Sequence, residues 1–330
     1  MKRTLAFLVS WGCCIALAHA ALAHAAPVAK PGLPDIQQPM AALPRLATFP
    51  IAKVADWVAI APDAVWVAGK KPDGVHRIDP ATQTDTLTVP LPGDACAGLA
   101  IGFGSLWVPV CAHKAYSVLR IDSATGRVLA KLPMGPPAEG GIAAGQDAVW
   151  FVVDGKTLIA VDPATNAPIR HIAIATGSQV PVVDGDTVWI SSTEHDLVTA
   201  VDARTGAILG TTPTGPHPRF LAAGGGAIWT MNQGDGTVTR IDARTHTVTA
   251  TIALGLPGDG GDIAWGDGVV LVTAIGLPLT VIDPQSNRPL TQWVGTGGDS
   301  LRYGHGSIWL TDLINGTLIR IDPTAAKHGT

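Results

Sequence analysis

From Ala227 to Ile252 the chain reads AIWTMNQGDGTVTRIDARTHTVTATI, in which short runs alternate apolar residues with threonine and glycine-bearing polar stretches part them. Period-two alternation rich in β-branched residues, bounded by Gly, Asp and Asn, predicts strands joined by tight turns. The same pattern recurs along the chain. Its tryptophan stands in AVWV at Trp66, SLWV at Trp107, AVWF at Trp150, TVWI at Trp189, AIWT at Trp229 and SIWL at Trp309, and Leu271 of VVLV takes the slot in the sixth copy. A second anchor keeps step: Asp79, Asp122, Asp162, Asp202, Asp242, Asp283 and Asp322, spaced 39 to 43 residues apart. A fixed period of this length marks a repeat architecture. Each unit opens on a small-residue run such as FLAAG, followed by the Trp strand, a strand ending in Ile-Asp, and a strand such as TVTATI. Four antiparallel strands in each of seven units predict an all-β fold, a seven-bladed β-propeller spanning residues 44–330.

The anchors then acquire physical tasks. A large flat side chain at one place per unit fills the gap between neighbouring blades, so the tryptophans are expected in the inter-blade core. The Asp-x-x-Thr pairs, such as Asp79 with Thr82, suit turns in which the carboxylate accepts backbone N–H bonds. The last repeat ends without an outer strand, while LATFP at 46–50 resembles the outer-strand TLTVP at 86–90. The N-terminal segment, residues 44–52, is therefore expected to complete the seventh blade and close the ring, which removes exposed sheet edges.

Composition adds a compartment. Lys2 and Arg3 precede an apolar run to Ala18, too short for a comfortable membrane span, and small-x-small sites follow. Residues 1–25 read as a signal peptide cleaved after Ala25, and 26–43 as a Pro-rich linker, giving a periplasmic or secreted protein. Later segments offer no eighteen-residue apolar run, so no transmembrane segment is expected. Cleavage removes Lys2 and Arg3 but no carboxylate, taking the formal charge from −4 to −6, and no basic run is present; nucleic acid is not an expected partner. A monomer is expected. Glycine and proline, 38 and 26 residues, fit many short elements and turns.

Export also permits disulfides. A two-residue hairpin centred on Phe103-Gly104 pairs residues whose numbers sum to 207, which sets Cys96 opposite Cys111 within bonding reach.

Chemistry is sought where loops converge on the central channel. Counting back ten from each anchor gives the residues opening the inner strands: Asp56, Ala97, Gly140, Gln179, Arg219, Gly261 and Asp299, with Asp94, Glu139, His217, Asp259 and Asp262 as neighbours. The candidate ligand site is Asp56, Glu139, Gln179, His217, Arg219, Asp262 and Asp299. Either Arg219 bridges to a carboxylate across the pore in a merely solvated rim, or these groups hold a small polar ligand, a protein partner or a divalent cation. An oxygen-rich set suits Mg²⁺ or Ca²⁺ rather than Zn²⁺. The sequence has no His-x-His, Cys-x-x-Cys or Gly-x-Ser-x-Gly, and GLPGDGGD at 255–262 precedes a strand, so it is no phosphate loop.

The Trp strand and turns such as RIDSATG at 120–126 resemble the YVTN-type and virginiamycin B lyase-like group of bacterial propellers, over residues 44–325. That resemblance implies the seven-bladed fold and either a binding or scaffold role or, as the alternative, a C–O lyase or hydrolase acting at the channel face with a divalent metal. The lyase places Pro-His motifs, one with Glu, before inner strands of late blades. The matching places here hold Arg219, after Pro218, and Asp299, and His217 lies two residues before Arg219.

Overall fold

The computed structural model describes residues 31–328 apart from 114, 257 and 259; the expected signal peptide and its cleavage point lie outside these. Seven sheets, antiparallel apart from one added edge strand on blade 6, form a ring about a central channel, each inner strand packing beside that of the next blade. Blade 5 is typical: Pro218–Gly224, Ala227–Asn232, Thr237–Asp242 and Thr247–Ala253 run from channel to periphery. Blade 7 takes its outer strand from the N-terminal side, Arg45–Pro50 pairing antiparallel with Thr317–Ile321. The ring is closed by this strand, as expected. Among the described residues no helix is long and apolar enough to cross a membrane.

The anchors do what their repetition implies. Trp66, Trp107, Trp150, Trp189, Trp229 and Trp309 are fully buried. The turn carboxylates accept backbone hydrogens: Asp242 Oδ1 takes the N–H groups of Arg244 at 3.0 Å and Thr245 at 2.7 Å. Backbone N–H donors first at Asp79, Asp162, Asp202 and Asp242, and the Thr125 and Ser286 hydroxyls first at Asp122 and Asp283, hold these carboxylates below the usual range, as scaffold groups. The turn's last residue is left-handed in six blades, at Gln83, Gly126, Asn166, Gly206, His246 and Asn287.

Blades are stitched by a rule the repeats carry in plain sight. In blades 2, 5 and 7 the arginine two places before the Asp anchor covers its own tryptophan and donates to the carbonyl following the next blade's Asp. Arg120 lies 5.0 Å over Trp107 and reaches Pro163 O and Asn166 Oδ1. Arg240 over Trp229 reaches Pro284 O, and Arg320 over Trp309 reaches Pro80 O, which locks blade 7 to blade 1. In blade 4 the arginine is Ala200, and the His246 ring of blade 5 packs edge-on against Trp189 at 4.7 Å instead. That packing accounts for a histidine at a left-handed position (φ 57°) where glycine or asparagine is easier. At the blade 6–7 interface Leu271 and Val281 replace both partners, and Trp293 from the outer strand fills the space, its Nε1 donating to Ala326 O at 3.0 Å. Ala326 belongs to the short helix Pro323–His328.

Close approach also dictates glycine at the end of inner strands. A Cβ at Gly224 would lie 2.0 Å from the Trp265 ring of the next blade. Residues 31–43, for which the sequence predicts no regular element, contribute a strand: Gln37–Pro39 runs parallel to the outer strand of blade 6, and Met40 and Leu43 are buried with Leu271 and Trp293.

Blade 2 departs from the hairpin arithmetic. The predicted pairing holds next to the turn, with Gly102 opposite Ser105 and Ala100 opposite Trp107. The inner strand then breaks at Cys96–Leu99, where Gly98 is left-handed, and resumes two residues out of step with Asp94 opposite Cys111. Cys96 and Cys111 are bonded all the same, their Cα atoms 5.8 Å apart, as a diagonal rather than a directly opposed pair.

Candidate functional site

Each inner strand starts at one face of the ring, so the residue ten before each anchor lies at the same level of the channel. Here the side chains diverge from blade to blade. Asp56 is buried and Lys70 Nζ lies 2.7 Å from its Oδ2 and 3.2 Å from Asp94 Oδ2. Asp56 is also hydrogen-bonded to Asp299. Burial, then the neighbouring Asp56 charge, pushes the Asp299 carboxyl up to about 8. Asp56 is raised too, by burial, but Lys70 opposes the rise, so the shared proton sits on Asp299. Across the channel Arg219 of blade 5 forms an ion pair with Glu139 of blade 3, the bridge expected of a solvated rim; Arg219 also lies 5.7 Å over the Phe220 ring.

Asp56, Glu139 and Asp299 surround a mouth cavity of about 230 Å³ together with Lys70, Ser300 and Cys96, so the disulfide forms part of its wall. Its floor is aromatic. Trp57 and Phe220, ring centroids 6.5 Å apart, line both this cavity and a second one of about 370 Å³ that continues down the channel. Asp262 belongs to that lower shaft, ion-paired with Arg302. Gln179 is half-buried and lines neither cavity, and His217 is exposed with its backbone N–H bonded to Asp196 Oδ1 at 2.7 Å. Asp259 lies outside the described residues.

Three participants were not among the sequence candidates: Lys70, the Trp57–Phe220 floor and Arg302. Lys70 had a signal. It lies four residues after Trp66, and the blade 7 counterpart, Leu313, also lines the mouth. The hairpin between the first two strands brings that position back beside the ten-before position, and counting in one direction alone overlooks it. Among the described residues no group of three or more His, Cys, Asp or Glu side chains is placed to hold a metal ion.

The fold and mouth define a seven-bladed β-propeller with a charged channel face. A family described as outer membrane protein assembly factor BamB matches residues 114–211, the stretch from late blade 2 to the outer strand of blade 4. The crystal structure of BamB from Moraxella catarrhalis is similar, with a TM-score of 0.59 at 10% identity, covering 85% of this chain and 99% of that one. At that identity the likeness is one of fold. No curated protein matches.

Proposed function

We propose that this chain is an exported scaffold propeller, periplasmic or secreted, that engages a protein partner through its channel face, the mouth receiving a basic side chain. The observation that carries this is the mouth itself: Asp56, Asp94, Glu139 and Asp299 face Lys70 and Arg219 above the Trp57–Phe220 floor. An excess of carboxylates over an aromatic surface suits an ammonium or guanidinium group. The matching of residues 114–211 to a protein assembly factor supports a protein partner over a small molecule. A Ca²⁺ or Mg²⁺ ion would add at the Asp56–Asp299 pair by displacing its proton, but no third ligating side chain joins the pair among the described residues. The lyase-like alternative needs a histidine at the mouth, and His217 lines neither cavity.

The test is photo-crosslinking from position 313, half-buried in the mouth wall, in cells, compared with a probe at exposed Ile208 on an outer strand. A protein captured from the mouth, and lost in Asp56→Asn/Glu139→Gln, is the expected result. Capture from the outer strand alone would move the working surface away from the channel.

A further inference from the structure

We propose that the channel shaft below the Trp57–Phe220 floor is a separate binding site, for a small amphipathic anion: a carboxylate or sulfonate on an apolar body, held by Arg302. Seven residues before the anchor, the shaft is lined by alanine in five blades (positions 59, 100, 143, 222 and 264) and by Val182 in blade 4; blade 7 alone places a long cation there, Arg302. A ring of small residues is what a narrowing channel requires, so the arginine is an exception to a structural rule.

Its surroundings show that seam-stapling uses one end of the side chain. Arg302 Nη1 donates to Asp262 and to Leu301 O at 2.6 Å. Asp262 is buried and already satisfied: Oδ2 also accepts Ser300 Oγ at 3.0 Å and Leu301 N at 3.3 Å, and Oδ1 accepts Ile263 N at 2.8 Å. The clip therefore fixes the guanidinium and leaves Nε and Nη2 without a partner among the described residues, on a side chain that is 35% exposed. Those two donors form the edge that grips a carboxylate or sulfonate bidentately. The walls around them are largely Ala, Val, Leu and Ile, with Trp265 and Tyr303 also lining the shaft, and about 370 Å³ falls in the range of small-molecule sites. Backbone and serine donors satisfy Asp262, which sits on the Nη1 side of the guanidinium, so an anion at the Nε–Nη2 edge approaches from the side away from that carboxylate. This is a different site from the acidic mouth and calls for the opposite ligand charge.

The probe is 2-naphthoate, with 2-naphthamide as its uncharged counterpart, titrated calorimetrically into the intact protein. Naphthoate is expected to bind, and the amide about 10- to 100-fold more weakly, the span of one charge-assisted contact. Arg302→Gln/Asp262→Asn removes both charges together, so no buried charge is stranded, and is expected to abolish the preference for the acid. Ala143→Leu keeps the ion pair and blocks the lumen, so it should abolish binding of both compounds. Glu139→Gln, at the mouth, should leave naphthoate affinity unchanged, which separates this site from the partner-binding reading. Absence of naphthoate binding to the parent at millimolar concentration, equal affinity for acid and amide, or undiminished binding in Ala143→Leu would each overturn the proposal.

Discussion

At the level of single residues, the mouth is organised by Lys70, whose ammonium lies between Asp56 and Asp94, and by Asp299, which keeps a proton beside Asp56. The proton has a consequence for stability. Asp299 titrates near 8 in the folded chain against an ordinary value of 3.8, so between these limits the folded state holds a proton the unfolded chain has released. Stability from this group is complete below the lower value and is lost progressively as pH rises from there to the upper one. Asp299→Asn imitates the protonated form and removes the dependence. Relative to the parent, its melting temperature is expected to be level below pH about 4, to gain progressively from about 4 to 8 and to keep a constant advantage above that. Thermal melts across that range check it, and parallel curves for the two proteins would contradict a proton held on Asp299. The seven-fold comparison within one sequence revealed Asp56 and Asp299 because the slot they share changes from blade to blade while the scaffold anchors stay constant. It passed over Trp57 and Phe220, since an aromatic residue next to a strand start reads as ordinary core.

Among the elements, the inner strand of blade 2 is the irregular one. Counting across the Phe103-Gly104 hairpin was sound for the nearest pairs, where hydrogen bonding to one turn fixes the register. It failed beyond Leu99 because the strand breaks there, and a register inferred from a turn survives only while the ladder is unbroken. The disulfide tolerates the slip because diagonal neighbours are also within reach. Its 15-residue separation leads to an expected loss of about 3 kcal/mol on Cys96→Ser/Cys111→Ser, read by urea denaturation of the unreduced parent and the double variant. Matching midpoints would mean that the bond leaves the mouth wall's stability untouched. At the outer turns, by contrast, each repeat carries its own Asp and hydroxyl, so local hydrogen bonds suffice and the pattern was legible from sequence.

The whole molecule depends on closure. Blade 7 is finished by Arg45–Pro50, and Phe49 buries its ring 6.0 Å from Trp309. Arg320 adds the bond to Pro80 that joins the last blade to the first. Phe49→Ala is expected to cost about 3–5 kcal/mol, the range for deleting a buried aromatic side chain. Deleting residues 31–43 should cost stability separately, by uncovering blade 6 while leaving the ring closed. Denaturant midpoints of the two variants distinguish the contributions; a Phe49→Ala protein as stable as the parent would show that the clasp is incidental.

Repetition explains where sequence alone was sufficient. Blade number, tryptophan core, carboxylate turns and the closing strand each occur in several copies or imitate one, and a constraint imposed by local geometry must be written into every copy. Where the copies disagree, the outcome depended on which blades meet. That His246 replaces an arginine over Trp189, or that Trp293 and the C-terminal helix fill the space left by Leu271, follows from contacts between residues tens of positions apart. The site belongs to this second kind. The ten-before count placed Asp56 and Asp299, with Glu139 as a neighbour, at one mouth, yet it also set the neighbour Asp262 on the same level, and the tertiary structure turned that carboxylate down into the shaft to hold Arg302. Counting along a strand gives a residue's height in the ring. Whether its side chain points up, down or across is decided by the neighbouring blade, because the donors that satisfy a buried charge come from there.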